Sequence, residues 1–218
     1  RGLGDVYKRQ FPHHENEIAQ SEAANGCKFV HYWLHNGFIN IDNKKMSKSL
    51  GNFFTVREAA EAYGYDCIRM FMLMSHYRSP LNYSGEILMQ AKAALERLRT
   101  AKSNLDFFAA NGKDGAMTDS EAAFAAGLDR YRTKFDDVMD DDFNTADGIS
   151  TIFELVRKIN TAVSAGNATK GTLKAYNDEF TALTNVLGLL YNNNDEEQIP
   201  AEITELIEKR KEARKAKD

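Results

Sequence analysis

The sequence predicts a mainly helical protein, with a small α/β portion at its front and an antiparallel helical bundle behind. Three observations carry this. Strand-like, aromatic-rich sequence is concentrated in "KFVHYWLHNGFINID", residues 28–42. From Thr55 onward, apolar residues recur three or four apart in one stretch after another, the period of a helix with one buried face. Between the two regions lies "NKKMSKSLGN", a polar segment with the residues of a loop rather than an element.

At the front, Pro12 in "FPHHENEIAQSEAANG" fits the first turn of a helix, where its missing N–H is not needed, and Asn25-Gly26 fits the helix end. Asn36-Gly37, flanked by aromatic and β-branched residues, predicts a type I′ hairpin, with a second polar corner at Asp42-Asn43. The lysine-rich segment then leaves a strand end and enters a helix capped by Thr55 and Glu58. Asp66 is expected to cap "CIRMFMLMS", and "SHYRSPLNYS" to be a connector. The following stripes are Ile87, Ala91, Ala94, Leu98, Leu105 and Phe108; Phe124, Leu128, Tyr131, Phe135 and Val138 after a Thr118–Glu121 cap; Ile149, Ile152, Val156 and Val163; and Leu173, Tyr176, Phe180, Leu183, Leu187 and Leu190. "NGKDG" and "YNNNDEEQ" read as linkers.

Composition narrows the classes. A chain of 218 residues with 43% hydrophobic residues can bury a core and is not of disordered composition. Its apolar runs are far shorter than the roughly 20 residues that span a bilayer, so no membrane partner is expected. Cys27 and Cys67 form neither a disulfide framework nor a CxxC pair, which fits a reducing cytoplasm. A net charge of −4 excludes a uniformly basic coat, although a local patch can still meet nucleic acid. "KRKEARKAK" near the C-terminal end is either a solvated helix face or a phosphate-binding strip.

Two groups of residues could carry chemistry. His13 and Glu17 stand four apart, so on a helix they share a face, and an imidazole nitrogen with a carboxylate oxygen at that spacing can grip one Zn²⁺ ion. The same pair also fits helix capping or a surface ion pair, and His14–Glu17 is a less comfortable variant. Lys44, Lys45 and Lys48, with the hydroxyls of Ser47 and Ser49 and the turn at Gly51, could hold the oxygens of a polyphosphate, or could form a solvated turn. Asp140, Asp141 and Asp142 fit a turn before a helix capped by Asn144 or Thr145.

"KMSKS" after a strand and before a helix resembles the signature loop of class I aminoacyl-tRNA synthetases. Together with "FPHHENEIAQSEA", "YWLHNGFINIDNKKMSKSLGNFFTVREA", "HYRSPLNYS" and "MDDDFNTADGISTIFELVRKIN", it is similar to the cysteinyl-tRNA synthetase family, over nearly the whole chain from Phe11. The resemblance implies the remnant of a class I α/β nucleotide-binding domain (residues 11–54), connecting helices (55–112), a tRNA-binding type of helical bundle (113–192), and a linker with the start of a basic terminal helix (193–218). Residues 1–10 stay unmatched and are expected to be foreign to the fold.

It also implies ATP-dependent activation of cysteine to cysteinyl-adenylate and transfer to tRNA(Cys), by a cytoplasmic monomer. His13 and Glu17 match two zinc ligands. Lys45, Met46, Ser47, Lys48 and Ser49 match the ATP loop, with Lys45 and Lys48 catalytic and Lys48 foremost. The family's two cysteine ligands and its other ATP motif fall upstream of Phe11, and an anticodon module falls beyond Asp218, so the chain alone is expected to be inactive. Two other readings compete: a cysteine–amino-sugar inositol ligase, and a non-catalytic helical module that binds tRNA or a protein.

Overall fold

The computed structural model describes residues 10–46, 51–114, 117–164 and 168–190, and within these the side chains of Lys45, Ser120 and Phe124 lie outside the description. A wide turn, Gln10–His14, enters α1 (Glu15–Asn25). Gly26 ends α1 as expected: it is left-handed (φ 67°) and its N–H donates to the Glu22 carbonyl at 2.9 Å.

Three short strands follow the order β2-β1-β3. β1 (Ile39–Ile41) pairs antiparallel with β2 (Lys44–Lys45) and parallel with β3 (Leu81–Tyr83). The hairpin turn is Asp42-Asn43, not Asn36-Gly37. Asp42 and Asn43 both have positive φ (46° and 61°), the conformation that a two-residue turn joining twisted strands requires. The Asn43 N–H donates to Asn82 Oδ1 at 2.7 Å and the Asp42 N–H to the Tyr83 carbonyl at 3.2 Å, so β3 holds the turn from the side.

Gly37 has a different purpose from the one its Asn-Gly context suggests. Its N–H donates to the Tyr77 carbonyl at 2.7 Å. A Cβ here would strike the Ser79 carbonyl and lie 2.9 Å from Pro80 N. The residue is glycine because two backbones cross here, and a sequence cannot distinguish that need from a turn. β3 lies inside the expected connector; three residues with a parallel partner far upstream carry no local strand signal.

α2 (Val56–Tyr63) starts at the expected Thr55 capping box, with Glu58 N–H donating to Thr55 Oγ1 at 3.2 Å and Thr55 N–H to Glu58 Oε2 at 2.6 Å. α3 (Tyr65–Leu73) begins one residue before the expected Asp66 cap, directly after Gly64 (φ 83°). Asp66 therefore sits in the first turn and accepts from Arg99 Nη2 at 2.9 Å. α4 (Gly85–Asn111), capped by Ser84, is followed by α5 (Asp119–Ala126), α6 (Asp129–Asp140), α7 (Thr145–Ser164) and α8 (Lys170–Val186).

The helical stripes meet in one core. α4 packs on both α3 and α8, α6 packs on α7, and α7 packs on α8. Leu98, Leu105, Phe135, Ile152, Tyr176, Phe180 and Leu183 are all buried in the same cluster as Cys67 and Met70. Cys67 is a packing residue there: its Sγ donates to the Leu88 carbonyl at 3.5 Å, and burial pushes its thiol pKa up.

Glu121 joins two helix starts. Its carboxylate accepts from Thr118 N–H (2.8 Å), closing the expected capping box, and also from Thr169 N–H (2.7 Å) and Thr172 Oγ1 (3.1 Å) at the start of α8. These bonds, the Thr118 N–H foremost, hold the carboxyl down at about 2 instead of its ordinary 4.5. A depressed folded pKa confers stability that is complete above the unfolded value and is lost as pH falls through the folded one. Glu121→Ala should therefore be less stable than the parent at neutral pH, and the gap should shrink as pH drops from 4.5 toward about 2. Paired denaturant titrations across that range check it, and a pH-independent gap would refute it.

Candidate functional site

Both ends of the lysine-rich loop are tied to β3. On the entry side, β2 places Lys44 and Lys45 opposite Ile41 and Asn40, and Met46 follows, half-buried. Ser47, Lys48 and Ser49 lie outside the described residues. The chain is described again from Gly51, which is left-handed (φ 66°), and Phe54 then packs, tilted, against Tyr83 with ring centroids 4.2 Å apart. Tyr83 in turn meets Phe71 of α3 edge-on at 5.9 Å. The loop thus springs from a hairpin on one side and a capped helix on the other, and the described part places only Lys44 and Lys45 on its inward leg.

The histidine-rich turn is arranged differently from the sequence expectation. Glu17 pairs with His14, whose Nδ1 lies 3.1 Å from Glu17 Oε2; His13 is exposed. His14 Nε2 lies 2.9 Å from His35 Nε2, one ring donating and the other accepting according to tautomer. The His14 ring also packs against Trp33, 4.4 Å between centroids, and Trp33 meets Phe29 at 5.8 Å. His35 and Trp33 thus join this group. The aromatic and imidazole side chains of "HYWLH" were the available signal, and Trp33 and His35 of that run meet His14. Among the described residues no three ligand-type side chains converge into a metal-holding set.

Electrostatically, the loop's base is cationic at Lys44, and the helical turn beside the imidazoles is acidic through Glu15 and Glu17. A phosphate ester is suited to the first and a cation or polarisable donor to the second.

Comparison with known proteins places the chain among known families. Residues 5–93 match the tRNA synthetases class I (C) catalytic domain, and residues 134–191 match the DALR domain. A ternary complex of LeuRS, tRNA and LeuAMS from Agrobacterium radiobacter shares the fold over 81% of this chain and 24% of its own, with a TM-score of 0.62 at 19% identity. The fold and these matches define a class I aminoacyl-tRNA synthetase sequence. Within that class the chain belongs to the cysteine–tRNA ligase family. It is 51% identical over 208 residues to the cysteine–tRNA ligase of Lachnospira eligens, 50% identical over 209 residues to that of Caldicellulosiruptor saccharolyticus and 49% identical over 208 residues to that of Clostridioides difficile. Each alignment takes in 95% of this chain and 44% of the relative, so the chain spans less than half the length of these relatives. The mainly α architecture with an α/β remnant at its front is the one expected from the sequence. No helix among the described residues is long and apolar enough to cross a membrane.

Proposed function

We propose that this chain supplies the loop-bearing and helical portion of a cysteine–tRNA ligase. In this reading the cysteine carboxylate attacks the α-phosphorus of ATP, pyrophosphate leaves, and cysteinyl-adenylate forms. A ribose hydroxyl at the tRNA(Cys) terminus then attacks the adenylate carbonyl, and AMP leaves. The supporting observation is the hairpin whose second strand, Lys44–Lys45, leads into the signature loop, in a chain 51% identical to a named cysteine–tRNA ligase.

The loop's role follows from charge. Negative charge gathers on the departing pyrophosphate as the α–β bridge breaks, and cations already in place stabilise it without reorganisation. Lys45 and Lys48 take this role, with Lys48 foremost. Met46, Ser47 and Ser49 complete the loop, the serines as hydroxyl donors to phosphate oxygens. Lysine suits a moving triphosphate because its ammonium is a compact charge on a flexible stem.

The family resemblance makes His13 and Glu17 two ligands of a zinc ion. The fit is incomplete among the described residues, where His14 already engages Glu17 Oε2 and no third ligand converges. Bound zinc would supply a soft Lewis acid for a thiolate. What this chain's residues do toward such a site is hold the carboxylate: the His14 ring, fixed by Trp33 and His35, keeps Glu17 Oε2 in place.

The experiment is cysteine-dependent exchange of labelled pyrophosphate into ATP. The chain is joined to the remaining length of the Lachnospira eligens ligase and compared with its Lys48→Ala variant. Exchange should require cysteine and not accept serine, and Lys48→Ala should slow it on the order of 10²-fold with cysteine affinity little changed. No exchange, or exchange indifferent to the amino acid, would reject the ligase reading. The 218-residue chain alone should show none.

A further inference from the structure

One carboxylate in the bundle gathers three residues of the connector that leads into β3. Asp142 lies on the turn between α6 and α7. Its Oδ1 accepts from the Tyr77 hydroxyl at 2.7 Å and from Arg78 Nη2 at 3.1 Å; its Oδ2 lies 3.0 Å from Arg78 Nε and 3.7 Å from His76 Nε2. Arg78 Nε also donates to the Tyr77 hydroxyl at 2.9 Å, and the His76 and Tyr77 rings stack with centroids 4.9 Å apart. Three consecutive residues thus converge on a single side chain from a distant part of the sequence.

The turn itself is held in an uncommon shape. Asp142 and Phe143 both have left-handed backbones, with φ of 58° and 56°. Two such residues in a row, neither of them glycine, persist only where the surroundings over-determine them. Two residues further on, Thr145 Oγ1 donates to the Leu73 carbonyl at 2.8 Å, tying the same turn to the end of α3. Capping by Asn144, whose Oδ1 accepts from Asp147 N–H at 3.2 Å, accounts for the start of α7 and not for the grip on residues 76–78.

From that grip a continuous set of short contacts runs to the loop. Tyr77 O accepts from Gly37 N–H, and Phe38 O accepts from Leu81 N–H at 2.9 Å. β3 pairs with β1 from Ile39↔Leu81 to Ile41↔Tyr83, and Asn82 and Tyr83 hold the Asp42-Asn43 turn from which β2 and the lysine loop emerge.

We propose that Asp142 is a positioning residue: through Tyr77 and Arg78 it fixes the connector on which the lysine-loop hairpin rests, and so sets the loop's place relative to the bundle. The link is a chain of directional bonds between rigid pieces, the kind that transmits a displacement. Its catalytic consequence, though not the mechanical one, rests on the ligase reading above. Loosening the grip should affect the ATP-handling loop and leave cysteine recognition alone.

Two variants test it. Asp142→Asn keeps the shape and removes the charge; Arg78→Lys keeps the charge and removes the two-point grip. In amide hydrogen exchange on the 218-residue chain, the Gly37, Asp42 and Leu81 amides should exchange about tenfold faster in either variant, with Leu173–Leu183 of α8 unchanged. In the completed ligase, KM for ATP in pyrophosphate exchange should rise about fivefold to tenfold, with KM for cysteine unaltered. Unchanged exchange at Gly37, Asp42 and Leu81, or equal acceleration throughout α8, would overturn the proposal. Equal rises in both KM values would overturn the positioning role. If the unsubstituted ligase shows no pyrophosphate exchange, the ligase reading fails and the amide result still decides the mechanical link.

Discussion

Gly37→Ala should destabilise the chain by about 3 kcal/mol or more, the upper end of the range for overpacking. The reason is the identity of the obstacle. The added methyl would meet the Ser79 carbonyl, backbone that cannot rotate away as the tip of a flexible side chain can, with Pro80 N 2.9 Å from it on the same side. Relief requires separating the two segments, which also lengthens the Gly37 N–H to Tyr77 carbonyl bond and the Leu81 N–H to Phe38 carbonyl bond. The loss should therefore be local first, with β1–β3 pairing weakening before the bundle does. Gly85→Ala is the natural comparison. It stands at the first residue of α4 with only the Tyr63 hydroxyl within 3.9 Å, and it should be neutral or slightly stabilising. Urea denaturation of both variants distinguishes the cases, and a Gly37→Ala midpoint equal to the parent's would contradict the crossing described here.

Phe180→Ala should cost about 3–5 kcal/mol, as expected for removing a fully buried ring from a rigid interior. Phe180 is wholly shielded from solvent on α8, in the cluster that also contains Tyr176, Leu183, Leu98 and Phe135. Several helices supply the cavity walls, so no single one can collapse into the vacated space without disturbing its other contacts. For a chain of this size the melting temperature should fall by about 10 °C, measurable by circular dichroism. A drop of only one or two degrees would mean the core repacks around the gap. Val186→Ala, 64% exposed on the same helix, should be nearly silent.

The bundle was legible in the sequence because its determinants are local. The Thr55–Glu58 and Thr118–Glu121 caps are both present, and Leu173, Tyr176, Phe180, Leu183, Leu187 and Leu190 are all buried at the expected spacing. The stripe from Leu128 to Val138 is interrupted upstream at Gly127, where α5 ends and α6 starts afresh, a break that periodicity alone does not show. The front part was less legible because its determinants are distant in sequence. Asn36-Gly37 has the chemistry of a turn and the job of a crossing; β3 exists only because β1 is beside it. The site divides in the same way. The lysine loop announced itself through composition and context. The arrival of His35 and Trp33 beside His14 depends on where residues 27–38 run in space, and no spacing rule contains that.

The strand order has a consequence for the route by which the chain folds. β1 and β2 are separated by two residues and can zip within microseconds, whereas β3 reaches β1 only after α2 and α3 have been laid down between them. The hairpin at the root of the loop is therefore made early and cheaply, while its buttress arrives late, as part of helical assembly. A cell that slows or perturbs that assembly would accumulate molecules with the hairpin already formed but nothing yet behind it.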